Sequence, residues 1–449
     1  MAEMDLKLAE WALEVAKKAG ATAIEVLLVN GESLSAGVRL GEVEKLKSSR
    51  ERRLGLRVFS GQSSATSSTA EIEQDSLKDF IKSTVELAKL TAPDPWSGLP
   101  EATLHPKTFP DLDLEDNSNR IIEASRALEL ARAAEKAALG ADPRIKNSEG
   151  AEFDSGTYRV IFANSQGFAG EYSGTNYHLG IAPIAQDDSG MQVGYWYTSN
   201  RKFDRLDNPE QVGTTAAKRA LRRLGSRKIK TTRVPIVFDA QMAAGLVHTM
   251  ASAASGPSLY KGASFLVDKL NQNVASPNIT LIDDARMPGG LGSKPFDGEG
   301  LATNRKNLVE KGELKTYLLD SYSARKLKLA PTGNASRSVG APPGVSTTNF
   351  YLVPGNYSPE DIIKSVKQGL YLTETIGFGV NMVTGDYSRG AGGIWIENGE
   401  LTYPVQEVTI AGNLKEMFNA IEMIGNDLVW RSSTASPTIK ISEMTIAGA

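Results

Sequence analysis

The hydrophobic pattern changes its period near residue 23, and this change constrains the fold more than any other feature of the sequence. Residues 5–19 place apolar side chains at helical spacing and end at Gly20, whereas residues 23–69 alternate with a period of two. Turn-forming dipeptides interrupt the alternation at Asn30-Gly31, Leu40-Gly41 and Ser60-Gly61. Such dipeptides close hairpins, so this segment is predicted to form an antiparallel meander of about four or five strands.

The rest of the first half mixes helices with further strands. Residues 150–198 return to the alternating pattern. Helical spacing appears at residues 74–90, 118–140 and 208–224. In the middle helix Ser118 or Asn119 is the predicted N-cap, and Ile121 belongs to the buried face. Gly140 is predicted to end that helix.

A basic stretch at residues 218–233 separates the two halves of the chain. It holds eight Lys or Arg residues and no acid, although the whole chain carries a net charge of −3. We interpret it as the solvated end of a helix, because no aromatic residue is interleaved for base stacking. Binding of nucleic acid or another anionic partner is the alternative. The stretch divides two predicted domains, an N-terminal α+β domain at residues 1–225 and a C-terminal β-rich domain at residues 234–449.

The second half is predicted to contain more strands around one charge-free helix. Strands are predicted at residues 234–238, 279–283, 305–310, 313–320 and 347–353. Asp239 caps a helix over residues 240–260, and Asn398-Gly399 closes a hairpin. That helix is rich in Ala, Ser and Gly, so we interpret it as buried and not as a membrane span. The predicted fold class is therefore α+β, with antiparallel sheets and flanking helices first and a mixed or antiparallel β-rich part second.

The composition excludes several kinds of catalytic site. The chain has no cysteine, which excludes disulfides, thiolate zinc sites, iron–sulfur clusters and a cysteine nucleophile. The three histidines are His105, His178 and His248, and no second histidine lies at helical spacing from His248. The N-terminus lacks the apolar core of a signal peptide, so we expect a cytoplasmic protein. Taken alone, the residues do not assemble a catalytic site.

Specific motifs nevertheless run through the C-terminal half. Residues 380–400 read VNMVTGDYSRGAGGIWIENGE, and residues 403–415 read YPVQEVTIAGNLK. Shorter motifs are SLYK at 258–261, PFDGEG at 295–300, SYSARK at 321–326, GND at 425–427 and MTIAG at 444–448. In these motifs the chain closely resembles the TldD/TldE family, whose TldE members are also called PmbA. Agreement in the first half is confined to GEVE at 41–44, TAPDP at 91–95 and NSEG at 147–150.

The resemblance implies a role in proteolysis. The family, also known as modulators of DNA gyrase, acts as a cytoplasmic metallopeptidase on unfolded or ribosomally made peptides. TldD-type subunits hold zinc through an HExxxH helix and a cysteine near the C-terminus. TldE-type subunits lack that set and pair with TldD.

The zinc-binding positions of the family are changed in this chain. The two sequences are brought into register on Gly256 and Ser264. Val247 then takes the place of the first histidine, His248 that of the glutamate and Ser252 that of the second histidine. Valine cannot bind a metal, serine is a poor substitute for imidazole, and the cysteine has no counterpart. We therefore expect no catalytic residue and no metal site, while the three positions are expected to line the cavity that receives an extended peptide in the family.

Three functional interpretations follow from the resemblance. The first is a non-catalytic TldE-type subunit that binds peptide substrates and a zinc-containing TldD-type subunit, with a homodimer as one option when it is alone. The second is a peptidase in its own right with an unrecognised metal site. The third is a regulator of DNA gyrase that acts without proteolysis. The slightly negative net charge argues against direct binding of nucleic acid, and no membrane contact is expected.

Overall fold

One long antiparallel sheet forms the first half of the computed structural model, which describes residues 2–118 and 122–448. Its strands are β1 (Ala23–Arg39), β2 (Glu42–Ser60), β3 (Ser63–Thr69), β4 (Ile145–Asn164), β5 (Ala169–Asp187), β6 (Gly190–Val193) and β7 (Trp196–Asn200). Their order is β3-β2-β1-β4-β5-β6, and β7 also pairs with β5. Strands β1, β2, β4 and β5 have 17 to 20 residues. Each therefore extends for about 60 Å.

These strands are long enough to enter two hydrophobic cores. The helices of this half are α1 (Ala2–Lys18), α2 (Gln74–Leu90), α3 (Ala124–Leu139) and α4 (Pro209–Leu221). Apolar side chains of α1 and α2 pack with Ile24, Val26 and Leu28 near the start of β1. Those of α3 and α4 pack with Ala36 and Val38 near its end. Strand β1 therefore fixes the position of one helix pair relative to the other.

Two of the three predicted turns in the meander are confirmed and one is wrong. The turns at residues 40–41 and 61–62 close the β1–β2 and β2–β3 hairpins. Asn30-Gly31 instead lies in the middle of β1, which is paired with β2 on one side and β4 on the other. The Asn30 side-chain amide donates to Asp5 Oδ2 at 2.8 Å. Pairing on both sides outweighs the local turn preference, so the segment forms three strands and not four or five.

Helix α3 begins later than the sequence predicts. Its first residue is Ala124, so Ser118 is not its N-cap. The Ser118 amide instead donates to Oδ1 of Asp116, and this hydrogen bond closes a turn. Asn119 and Ile121 lie outside the described residues. Gly140 ends the helix as predicted.

Two sheets and a strand pair form the second half. The strands are β8 (Thr232–Phe238), β9 (Leu281–Asp284), β10 (Arg305–Glu310), β11 (Glu313–Leu314), β12 (Ala335–Ser336), β13 (Gly344–Val345), β14 (Phe350–Leu352), β15 (Gln368–Ile376), β16 (Asp386–Glu397), β17 (Glu400–Asn413), β18 (Ile421–Ile424), β19 (Thr434–Ala435) and β20 (Ile439–Ala447). The larger sheet has the order β17-β16-β15-β8-β20-β18, and the smaller one has the order β11-β10-β9-β14-β19. Each sheet contains one parallel pair, β15–β8 and β14–β19, among antiparallel ones. The α+β fold class is thus confirmed, whereas the division into domains at residues 225 and 234 stays a prediction.

A helix packed against both sheets organises the core of this half. The helices are α5 (Ala240–Ala253), α6 (Gly256–Tyr260), α7 (Ser321–Leu327), α8 (Pro359–Lys364) and α9 (Leu414–Asn419). Helix α5 buries Leu246, Val247 and Met250 in one cluster with side chains of both sheets. The helix predicted over residues 240–260 is thus confirmed in two pieces. The strand predicted at 313–320 is shorter than expected, because the backbone of Leu318 turns to pair with the end of α5.

The interpretation of the basic stretch at residues 218–233 as a solvated helix end holds only in part. Five of its cations are exposed, namely Lys218, Arg227, Lys228, Lys230 and Arg233, whereas Arg219, Arg222 and Arg223 are half-buried. The Arg223 guanidinium donates to Glu374 Oε2 at 2.6 Å and to the Val193 carbonyl at 2.9 Å. Burial lowers the pKa of Arg222. Arg227 lies 3.4 Å above the ring of Tyr403. Several of these cations therefore join the two halves of the chain.

Two helical glycines test how closely the helices of the first half pack. A Cβ on Gly213 of α4 would lie 2.1 Å from the Ala134 carbonyl oxygen of α3, while a Cβ on Gly245 of α5 would meet no atom within 4 Å. We expect Gly213→Ala to lower the free energy of unfolding by about 1–3 kcal/mol through overpacking. Gly245→Ala should raise it by about 0.5–1 kcal/mol, because alanine favours the helix. Urea unfolding measures both, and equal stability of the two variants would contradict the close α3–α4 contact.

Candidate functional site

A groove of about 650 Å³ runs along the side of α5 that faces away from the core. Its floor is formed by Gln241, Ala244, Gly245 and His248, which recur at helical spacing. Trp196 and Tyr197 of β7, Arg219 of α4, Tyr371 of β15 and residues 427–438 complete its walls. The groove therefore lies where the first half of the chain meets the second.

The sequence of α5 explains why this side stays open. Asp239 accepts a hydrogen bond from the Met242 amide at 2.9 Å and so caps the helix. The core side carries large apolar residues, whereas the groove side carries Ala244 and Gly245, which are too small to fill the space in front of them. A Cβ on Gly245 would meet nothing within 4 Å. A chain of another molecule can thus approach the helix backbone closely.

Arg219 holds the start of α5 against the first half. Its guanidinium donates to Asp239 Oδ2 at 3.3 Å and to Gln241 Oε1 at 3.1 Å. It also lies 4.9 Å from the ring centre of Trp196, and Arg431 lies 4.3 Å from the same ring. Two cations therefore contact one indole, which fixes this wall of the groove.

Burial shifts the pKa values of two ionisable side chains that line the groove. Burial raises the pKa of Asp239, and the neighbouring Arg219 acts in the opposite direction. Burial also raises the pKa of Tyr371 to about 12, so this hydroxyl stays protonated at neutral pH. Asp427 is already engaged, because its carboxylate accepts from the Thr438 amide at 2.9 Å and from the Thr438 hydroxyl at 2.7 Å.

The edge of the smaller sheet forms the wall opposite α5. Strand β19 is paired with β14 and ends the order of that sheet in the described part of the chain. The Phe350 amide donates to the Ser433 carbonyl at 2.8 Å, so the carbonyl of Thr434 points away from β14. This carbonyl accepts one hydrogen bond, from the Ser432 hydroxyl at 2.8 Å, and has a second lone pair for another donor. Ser432, Thr434 and Ser436 line the groove. Such a geometry suits an extended peptide that adds to the sheet edge.

The three residues in register with the HExxxH helix of TldD-type subunits do not share one environment. Val247 is 1% exposed and belongs to the core. His248 lines the groove with its ring partly exposed, and burial of the remainder lowers its pKa. Ser252 is half-buried, and its carbonyl accepts hydrogen bonds from the hydroxyls of Ser255 and Ser258 at 2.9 and 3.1 Å.

The other two histidines do not line this groove and have local partners. His105 Nδ1 is 3.0 Å from the Gly300 carbonyl, and its Nε2 is 3.0 Å from the Asn164 side-chain amide. His178 Nδ1 is 2.7 Å from the Ser199 hydroxyl. Over residues 2–118 and 122–448, no three His, Asp or Glu side chains are grouped so that they could hold a metal ion.

Sequence reasoning located α5 but missed the opposite walls of the groove. Trp196, Arg219 and Arg431 are far apart in sequence, and nothing in their local patterns predicts that they meet. The one sequence signal for this wall is the basic stretch that contains Arg219. Its pattern alone favours a solvent-exposed helix end and not a contact with the second half.

Three family models match successive parts of the chain. They describe PmbA/TldA metallopeptidase domain 1 at residues 24–88, the central domain at 117–224 and the C-terminal domain at 231–448. A metalloprotease PmbA homologue from Haemophilus influenzae is 37% identical over 449 residues, which is 99% of this chain and 97% of that protein. The chain belongs to the PmbA/TldD metallopeptidase family. The predicted relationship is thus confirmed.

Solved structures of the PmbA/TldD family share the fold. A candidate modulator of DNA gyrase from Bacteroides thetaiotaomicron has a TM-score of 0.92 and 30% identity, covering 99% of this chain and 98% of its own. TldE from Thermococcus kodakarensis has a TM-score of 0.89 at 22% identity, covering 98% of this chain and 100% of its own, and shows the likeness of fold alone. In this family the role is related to proteolysis. Among the described helices, none has the length and apolar content to cross a membrane.

Removal of the Arg219 side-chain charge tests how the groove wall is held. Arg219→Met keeps the apolar stem but leaves Asp239, which is 5% exposed, without its cation. We expect the free energy of unfolding to fall by about 3 kcal/mol. The second substitution Asp239→Asn in the same chain should recover part of this loss, because the uncompensated charge is gone.

The matched control for that experiment is Arg233→Met. Arg233 pairs with Glu443 at 2.8 Å, but both side chains are at least half exposed. The control should change stability by no more than about 0.5 kcal/mol. Equal effects at residues 219 and 233 would contradict the buried Arg219–Asp239 pair.

Proposed function

We propose that this chain is the non-catalytic, TldE-type subunit of a cytoplasmic zinc metallopeptidase, and that it acts with a TldD-type subunit on unfolded or ribosomally made peptides. The proposal rests on the side chains that α5 carries and on the open groove beside it. The position of the first zinc ligand is occupied by Val247, whose side chain is in the core, and the chain has no cysteine. The groove beside the helix is nevertheless open.

The groove supports a role in holding peptide without cleaving it. It is bounded by a strand edge on one side and by small residues of α5 on the other. An extended peptide bound there gains backbone hydrogen bonds that do not depend on its sequence. The hydroxyl of Thr434 also lies along the same wall. This chemistry fits substrates that share an unfolded backbone and differ in side chains.

An exposed apolar loop at residues 376–383 supports the presence of a partner subunit. Ile376 is 61% exposed, Val383 is 54% exposed, and Phe378 is fully exposed. The loop is nonetheless fixed, since the Ser388 amide donates to the Gly379 carbonyl at 2.6 Å. It follows β15, whose Thr375 contacts α5 near the groove. A fixed apolar surface of this kind is typical of a protein–protein contact.

The same structure weakens the two alternative functions. A peptidase in its own right needs metal ligands and a general base at one place, and α5 offers His248 alone. A regulator that binds nucleic acid needs a free basic surface, and four cations of the basic stretch, Arg219, Arg223, Lys228 and Arg233, instead pair with carboxylates of the second half. Regulation of DNA gyrase is therefore more readily explained by contacts with protein.

A peptidase assay with and without a TldD-type subunit tests the proposal. We expect the isolated chain to carry well under one zinc ion per chain by elemental analysis and to leave an unfolded peptide intact. Addition of the TldD-type subunit should produce cleavage faster than that subunit gives by itself. Stoichiometric zinc that is lost with His248→Ala, or cleavage by the isolated chain that a chelator stops, would favour the second interpretation instead.

Replacement of Phe378 tests the partner surface. Phe378→Asp places a charge where an apolar contact is proposed, and we expect affinity for the TldD-type subunit to fall at least about tenfold. The melting temperature should not change, because the side chain contacts little of its own chain. Leu90→Asp on α2, at a site that is 84% exposed, is the matched control and should bind normally. Calorimetry measures the affinity. Unchanged binding by the Phe378 variant would show that the TldD-type subunit contacts another surface.

A further inference from the structure

The outer edge of β2 is unpaired over residues 42–53. Strand β3 covers only residues 54–60 of β2, and no other strand of the described chain pairs with this side. Residues 42–52 are all exposed, among them Val43 and Leu46 at 46% and 54%. The free part is about 40 Å long. A strand edge of this length is a template on which another strand can pair.

The register shows which backbone groups point outward from this edge. The Phe59 carbonyl accepts from the Thr22 amide at 2.8 Å and so faces the β1 side. The register between the two strands is unbroken from Phe59 back to Lys45. Because backbone groups alternate in direction along a strand, the odd residues of β2 face β1. Free amides and carbonyls therefore point outward at residues 46, 48, 50 and 52.

The charges along this edge are self-complementary. Consider a second, identical strand running antiparallel, with a two-fold axis through Ser48. Lys45 then lies opposite Glu51 of the other copy, Leu46 lies opposite Arg50, and Lys47 lies opposite Ser49. Outward-pointing residues meet outward-pointing residues, as an antiparallel ladder requires.

Neighbouring registers are unfavourable for the same charges. A shift of one residue in one direction places Lys45 opposite Arg50. The same shift in the other direction places Lys47 opposite Arg50. A shift of two residues sets Lys47 against itself or Lys45 against Arg53. Like charges directly opposite each other destabilise a strand pair. The two-residue shifts also set Glu44 opposite Arg50 or Lys47 opposite Glu51, but only the register about Ser48 among these sets no like charges opposite each other.

We infer that residues 45–51 of β2 form a self-association surface on which a second copy of this chain pairs antiparallel about Ser48. The two N-terminal sheets then become one continuous sheet. Roughly six backbone hydrogen bonds form across the axis, and the aliphatic part of Arg50 covers the exposed Leu46. A register irregularity next to Lys45 limits the pairing at one end, and the start of β3 limits it at the other.

Little has to be broken before this pairing forms. Lys45 contacts Glu152 of its own chain, with both side chains about 40% exposed or more. Glu51 lies 3.5 Å from Arg53, and its side chain is 63% exposed. Exposed ion pairs contribute at most about 1 kcal/mol each, so an exchange of partners costs little. The surface is small, and the dimer is therefore weak and depends on protein concentration.

Sedimentation equilibrium of the isolated 449-residue chain tests the inference independently of any TldD-type subunit. Wild-type protein should show a monomer–dimer equilibrium. Lys45→Glu and Glu51→Lys should each weaken the dimer at least tenfold, because each sets like charges opposite each other. An equal mixture of the two variants should restore association, as should the double variant K45E/E51K, since opposite charges meet again.

A proline at the axis provides a second, charge-independent test. Ser48→Pro removes an amide that points outward and leaves the ladder with β1 intact, so the melting temperature should hold while the dimer is lost. Lys82→Glu on α2, an exposed lysine that pairs with Asp79 at 3.7 Å, is the control and should not change the dimer.

Three outcomes would overturn the inference. The first is a wild-type chain that stays monomeric at every concentration, in which case the charges only keep the edge unpaired. The second is a dimer that none of the β2 substitutions weakens. The third is a mixture of Lys45→Glu and Glu51→Lys that associates no better than either alone.

Discussion

The second half of the molecule depends on α5, whose two sides have opposite roles. Leu246, Val247 and Met250 fix one side in the core shared by both sheets. The other side cannot be covered in the same way, because Ala244 and Gly245 project too little to meet a neighbour. The groove is thus a consequence of how small and large residues alternate around one helix.

Buried and half-buried charge pairs between the two halves set their relative position. Arg219 with Asp239 and Arg223 with Glu374 join the second half to the region around α4. At the other end of the contact, Arg337 Nη1 lies 2.7 Å from Oε2 of Glu25, a residue with no exposed surface. Buried pairs of this kind add little net stability but are costly to break. Their value here is in defining one arrangement of the halves, which keeps the groove wall opposite α5.

Much of the fold could be predicted from the sequence, and the failures have physical causes. Helix caps and hairpin turns depend on neighbours in sequence, so Asp239, Gly140 and Asn398-Gly399 were assigned correctly. Asn30-Gly31 was misassigned, because pairing with β4 lies more than a hundred residues away in the chain. The local hydrophobic pattern of a segment does not indicate which distant strand will pair with it.

The candidate site was harder to predict than the fold. Its helix could be located from the family motif and the charge-free pattern, but its walls could not. Contacts such as Arg431 over Trp196 form only after two halves of the chain meet. A run of cations with no acid nearby resembles a solvated surface as long as its partners, such as Glu374, are unknown.

The arrangement of β1 between β2 and β4 has a consequence for how the chain is made. Strand β4 is about 120 residues behind β1 in the sequence, and ribosomes add roughly 5–20 residues per second. The inner edge of β1 therefore waits on the order of ten seconds for its partner. During that time α1 and α2 can already cover one face of the strand through Ile24, Val26 and Leu28. The early helices thus shield the apolar residues of a strand that has one open edge until β4 is made.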